Sequence, residues 1–171
     1  KIDGNVYAVD STTIDLCLNV FWWAKFRKHK GAIKLHTQFD IKSDIPHFIH
    51  FSDGSEHDVN VMDILVYEPG SFYVFDRGYV DFSRLYNLHQ KLAWFVTRAK
   101  DNMNYRRLYS NKVDKSTGVQ VDQVIKLNNH YAAKNYPEKL RLIKFYDPES
   151  AMVLEFISNN FELEATEIAL L

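Results

Sequence analysis

The sequence predicts an α/β fold: a mixed sheet in the order βββαβαβ, with a β-rich insertion after the fifth strand. Three observations predict it. Apolar and polar residues alternate with period two from Ile33 to Ile41, the mark of a half-buried strand. Four consecutive apolar or aromatic residues, Phe72-Tyr73-Val74-Phe75, read as a strand buried on both faces. Helically spaced apolar positions then follow at Phe82, Leu85, Leu88 and Leu92.

Taken in order, Asp3-Gly4 suits a tight turn before a first strand, Val6 to Asp10. Ser11 to Phe26 read as irregular. They carry Phe21, Trp22, Trp23 and Phe26, interleaved with and followed by Lys25, Arg27, Lys28, His29 and Lys30. Such a stretch can stack on bases and hold phosphates; it equally describes a loop with core-packed aromatics under a solvated basic tip. In the second strand Ile33, Leu35, Phe39 and Ile41 point one way and Lys34, His36, Gln38 and Asp40 the other, so its polar face is placed to flank an active site. Ser43-Asp44-Ile45-Pro46 turns the chain into a third strand, His47 to Ser52, and so short a link predicts antiparallel pairing.

Asp53-Gly54 ends that strand, and His57-Asp58 opens a helix with Asp58 as N-cap and Val61, Ile64 and Leu65 inward. Pro69-Gly70 stops it. The strand Phe72–Phe75 then lies parallel to a neighbour through a right-handed crossover. Asp81 caps the next helix, and Ala93 to Thr97 form the fifth strand. From Asp101 to Ser158 the pattern changes to strand-like runs at Val119–Leu127, Leu140–Tyr146 and Met152–Ile157, separated by turn residues. The organisation read from this is a core over residues 1–100, a β-rich insertion over 101–158 and a returning core helix beginning in 159–171.

Composition excludes several classes. With 46% apolar residues in 171, the chain is globular and long enough for one sizeable core. Cys17 is its only cysteine, so no internal disulfide forms. No apolar run approaches the roughly 20 residues of a membrane span, and no signal peptide is legible; a cytoplasmic setting is expected. The net charge of −1 hides a segregation: eleven Lys or Arg against four acids from Arg98 to Phe145, then six acids and no base from Tyr146 onward. That asymmetry reads as a basic surface on one part of the fold, or as a solvated face. The chain starts without Met, and Glu164–Leu171 reads as a helix cut short, which predicts a piece of a longer protein.

The chemistry centres on two aspartates. Val6-Tyr7-Ala8-Val9 runs into Asp10, and Phe72–Phe75 runs into Asp76. Three antiparallel strands followed by alternating helices and strands is the ribonuclease-H-like layout, in which the first and fourth strands are parallel neighbours. Asp10 and Asp76 would then meet. Two carboxylates that close repel unless a divalent cation sits between them, and Mg²⁺ or Mn²⁺ favours such all-oxygen sites. Each aspartate singly also fits a plain turn or helix cap.

Five segments resemble, in order, those of bacterial DDE transposases: Tyr7-Ala8-Val9-Asp10-Ser11-Thr12, Lys34-Leu35-His36, Phe75-Asp76-Arg77-Gly78-Tyr79, Phe95 to Lys100, and Ser158 to Leu163. The nearest group is the insertion-sequence-four family with its YREK signature. The resemblance implies Asp10 and Asp76 as the first two catalytic, metal-binding acids, with Mg²⁺ or Mn²⁺ as cofactor. The third, a Glu of that signature, would follow Leu171, which leaves Glu162, Glu164 and Glu167 as surface acids and the fragment alone inactive. It further implies transposon-end and target DNA as partners, a homodimer on that DNA, and a bacterial, nucleoid-associated setting. Lys25, Arg27, Lys28, Lys30, Lys34, Arg98 and Lys100 are the DNA-binding candidates. His57 supports the site from behind, and Arg77 pairs with Asp76. The insertion holds Tyr105, Tyr109, Tyr131 and Tyr136 but no Trp, so the base-stacking aromatic of related enzymes has no assigned counterpart. Two rivals are a ribonuclease-H-like nuclease that does not transpose and a non-catalytic DNA-binding remnant.

Overall fold

A computed structural model describes residues 2–17, 25–27 and 30–171, the last group starting with a backbone-only Lys30; residues 25–27 are likewise described by their backbone. Among the described residues the strands form one ten-stranded sheet. The first part comprises β1 (Val6–Leu16), β2 (Lys25–Arg27), β3 (Lys30–Asp40) and β4 (Ile45–Asp53). Then come β5 (Phe72–Phe75), α1 (Phe82–Gln90) and β6 (Trp94–Arg98). The remainder is β7 (Tyr105–Ser110), β8 (Val119–Leu127), α2 (His130–Asn135), β9 (Leu140–Asp147), β10 (Met152–Ser158) and α3 (Ala165–Ala169). The sheet runs β2-β3-β1-β5-β6-β10-β9-β8-β7, with β4 also paired to β3.

The pairing has two regimes. β1, β3 and β4 form an antiparallel meander. β5 lies parallel to both β1 and β6, as a buried apolar strand with helical connections should. β10 returns antiparallel to β6, and β9, β8 and β7 add on antiparallel beyond it. The β-rich segment after Lys100 thus continues the same sheet.

Each sheet face carries an apolar cluster. One holds Tyr73, Phe75, Leu85, Leu88, Phe95 and Tyr136 beneath α1 and α2. The other holds Val6, Phe72, Val96, Ile143 and Ile168 beneath α3. Asp81 caps α1 by accepting from the Arg84 amide at 3.0 Å. Asn159 fastens the end of β10: its Oδ1 accepts from the Phe95 amide and its Nδ2 donates to the Ala93 carbonyl, at 2.8 and 2.9 Å.

Four expectations are corrected. The first strand continues past Asp10 to Leu16, because Ser11–Leu16 pair residue by residue with Gly31–His36. The segment after His57 is a 3₁₀ helix, Asp58–Asp63, rather than an α-helix. Asp58 does not cap it; its carboxylate pairs with Lys34 at 2.9 Å, a charged partner that outcompetes a backbone amide. The polar face of β3 is the more covered one, with His36 and Gln38 both buried while Ile41 is exposed.

Candidate active site

The parallel register sets the site. Tyr7 lies opposite Tyr73, Ala8 opposite Val74 and Val9 opposite Phe75; on the next strand Phe75 lies opposite Thr97. One residue further along, the three strands present Asp10, Asp76 and Arg98. Side chains alternate faces with period two, so these three share the face of Ala8, Val74 and Val96. All three line one cleft of about 730 Å³. Its floor is apolar, including Leu154 and Phe156, and its far wall carries Asp147 and Glu149. Ala169, Leu170 and Leu171, at the end of α3, line it too.

Both aspartates are exposed and locally braced. The Ser11 amide donates to Asp10 Oδ1, and the Gly78 amide to Asp76 Oδ1, each at 2.7 Å. Such bonds orient a carboxylate while leaving its second oxygen for other ligands. Gly78 fits closely there: a Cβ at that position would stand 2.9 Å from Asp76 Oδ1 and push the carboxylate aside. Thr97, buried on β6, donates its hydroxyl to the Asp76 carbonyl at 3.0 Å and ties the turn to the neighbouring strand. Sequence reasoning passed over Thr97, which has no signal beyond its place in an apolar strand.

Behind the acids, on the covered face, lies a polar cluster. Burial pushes the Tyr79 phenol up to about 12, with the charges of Asp58, Asp10 and Asp76 adding to the rise and the neighbouring Ser11 working against it. The fields of both site aspartates thus reach one hydroxyl. Lys34 pairs with Asp58 at 2.9 Å and also donates to the Glu56 carbonyl. Burial raises the Asp58 pKa, but hydrogen bonds from Lys34 and Ser11 and the Lys34 charge hold it below the usual carboxylate range. His36 bonds Ser52 Oγ through Nε2 at 2.7 Å, and burial lowers its pKa, with the charges of Asp58 opposing.

The remaining candidates are placed as follows. Arg98 stands in the cleft. Lys100 donates to the Val80 carbonyl at 2.9 Å. The expected Arg77–Asp76 pair is corrected: the guanidinium reaches Asp101 instead, at 3.4 Å, because the Gly78 turn carries Arg77 away from the carboxylate. His57 precedes the 3₁₀ helix and makes no side-chain cap bond. Lys28, with Phe21, Trp22, Trp23 and His29, lies outside the described residues, as do the side chains of Lys25, Phe26, Arg27 and Lys30.

Two carboxylates just past the end of the parallel β1–β5 ladder, lining one open cleft, are a donor set suited to a hard divalent cation. Among the described residues no third His, Cys, Asp or Glu joins them in a ligating group. Residues 1–170 match the transposase DDE domain family. The chain belongs to that family. It is 29% identical over 110 residues to a Sinorhizobium fredii protein described as transposase y4zB, covering 64% of this chain and 31% of the relative. It is 27% identical over 163 residues to a transposase described for insertion sequence element IS5377 of Geobacillus stearothermophilus, covering 94% of this chain and 42% of the relative. The chain thus spans less than half the length of these curated relatives. Among the described residues of this transposase-family chain, no helix is long and apolar enough to cross a membrane.

Proposed function

We propose that this chain is the catalytic core of a cut-and-paste DNA transposase, with Asp10 and Asp76 as the acids that hold Mg²⁺ or Mn²⁺. The observation carrying this is the register of β1 against β5, which sets the two acids side by side just past the end of their parallel ladder, in one cleft. A ribonuclease-H-like arrangement is the matching fold reading, supported by the antiparallel β4-β3-β1 meander beside parallel β1, β5 and β6. Placement in the insertion-sequence-four group, action as a homodimer on paired ends and a nucleoid-associated setting belong to the same proposal.

The reaction is phosphodiester hydrolysis at an element end, followed by attack of the freed 3′-hydroxyl on target DNA. Bound divalent metal would lower the pKa of the attacking oxygen and neutralise charge developing at phosphorus. The chain's residues perform the rest. Asp10 and Asp76, oriented by the Ser11 and Gly78 amides, supply oxygen ligands. Thr97 holds the Asp76 backbone in place. Arg98, at the same level of the sheet, is placed to bind a non-bridging phosphate oxygen. The end of α3 lines the same cleft, which agrees with a third acid approaching from that side.

The test is cleavage of element-end DNA by the longer protein. Asp10→Ala and Asp76→Ala are each expected to abolish cleavage while end binding survives; a variant that still cuts would overturn the assignment.

A further inference from the structure

We infer that the loop Lys100–Asn104 and helix α2 form a track for the phosphodiester backbone of duplex DNA, leading from the acids to a cationic groove beyond α2. The inference rests on the DNA reading proposed above and extends it to a surface outside the acid cleft.

The groove is the end of the track. It has a volume of about 580 Å³ and is lined by Arg106, Lys126, His130 and Lys134, with no acidic residue in its lining. Arg106 and Lys126 are direct cross-strand partners on β7 and β8. Like charges so opposed destabilise a sheet unless an anion lies against them. Among the described residues, no carboxylate forms an ion pair with Arg106, Lys126 or Lys134. The acids closest in sequence to Lys126 and Arg106 are held elsewhere, Asp122 by Arg141 and Asp101 by Arg77.

The other side of α2 supplies the middle. A depression of about 360 Å³ there is lined by the side-chain amides of Asn102, Asn104, Asn129 and Asn135 and by Tyr131, which is 77% exposed. It shares Lys100 and Asn102 with a further depression lined by Arg77 and Gly78, the residues directly after Asp76. The two depressions thus adjoin from Gly78 to Asn135, and α2 stands between them and the groove. Amides and cations, which bind phosphate without reading bases, outnumber the two acids of these depressions, Asp81 and Asp101, and Asp81 pairs with Arg84 and Asp101 with Arg77. A single-strand channel would instead present a series of stacking aromatics. At the near end Arg77 is already paired to Asp101 and Lys100 to the Val80 carbonyl, so the electrostatic contribution concentrates in the far groove.

The experiment is fluorescence anisotropy of the 171-residue chain with a labelled duplex of about 20 base pairs and arbitrary sequence, in chelator, from about 50 to 200 mM KCl. The triple variant Arg106→Gln, Lys126→Gln, Lys134→Gln is expected to bind more weakly and to flatten the log affinity against log salt slope by about 2–3, roughly 0.9 per lost phosphate contact. Its melting temperature should equal or exceed that of the unsubstituted chain, because the repulsion between Arg106 and Lys126 is removed. An unaltered slope, no duplex binding by the unsubstituted chain, or equal binding of a single strand with the same salt dependence would overturn the track. None of these results bears on cation binding by Asp10 and Asp76, which is read separately.

Discussion

Asp10 and Asp76 each stand one position beyond the pair formed by Val9 and Phe75, where the parallel ladder between β1 and β5 ends. They are 66 residues apart in the chain (76 − 10), yet they line one cleft. Without a cation their negative charges repel. In chelator, Asp10→Asn is therefore expected to melt at a temperature equal to or above that of the unsubstituted chain. Added Mn²⁺ should raise the melting point of the unsubstituted chain alone, by the increment of about 1.4 kcal/mol that ligand at ten times its Kd confers. Differential scanning calorimetry reads both effects.

The turn after Asp76 brings Gly78 directly against the carboxylate. Gly78→Ala puts a Cβ against Asp76 Oδ1 and disturbs the amide bond that orients it. The expected cost in urea unfolding is about 1 kcal/mol, the size of a lost cap, together with weakened Mn²⁺ binding. Unchanged metal affinity would show that this turn does not orient the carboxylate.

Away from the site, Arg141 and Asp122 form a bidentate pair on β9 and β8, with side chains only 7% and 6% exposed. Arg141 also donates to the Leu163 carbonyl ahead of α3. Arg141→Met strands a buried carboxylate and is expected to cost about 3–5 kcal/mol. Adding Asp122→Leu should recover much of that loss, since a buried pair removed together leaves no uncompensated charge. A double-mutant cycle by chemical denaturation measures the difference.

Two histidines, His36 buried and His89 half-buried, make stability depend on mild acid. Burial lowers the pKa of His89, with the charge of Glu138 opposing, and burial does the same for His36. In the unfolded chain both titrate near 6.5, so there they take up protons that the fold excludes. Stability is therefore present above about pH 6.5 and declines as pH falls below it, until the lower folded-state values are passed. His89 also meets the Tyr136 hydroxyl at 2.6 Å through Nδ1. His89→Gln, which has no titrating ring, should show a shallower loss of unfolding free energy between pH 7 and 5.

Much of this was legible in the amino acids because local signals agreed. Phe72–Phe75 is apolar on both faces and becomes a strand between two parallel neighbours. Asp81 before helically spaced leucines becomes the cap of α1. What stayed hidden depends on partners distant in sequence. Ser11–Leu16 reads as a polar loop and is a strand only because β3 pairs with it along its length. Tyr105–Ser110 lacks alternation and lies on the sheet's edge, where pairing with β8 alone makes it β7. That His36 and Gln38, rather than Ile41, face the covered side follows from the 3₁₀ segment and Tyr79 packing there, which no pattern within β3 announces. Lys34 looked like a phosphate ligand, and the structure shows it bound to Asp58 and the Glu56 carbonyl.

The most direct test of a shared cation is paramagnetic line broadening by substoichiometric Mn²⁺ in amide NMR spectra of the 171-residue chain. The expected result is selective loss of the amide signals around both Asp10 and Asp76 at the same metal concentration, abolished at both places by either Asp10→Asn or Asp76→Asn. Broadening around one aspartate that survives substitution of the other would contradict a common site.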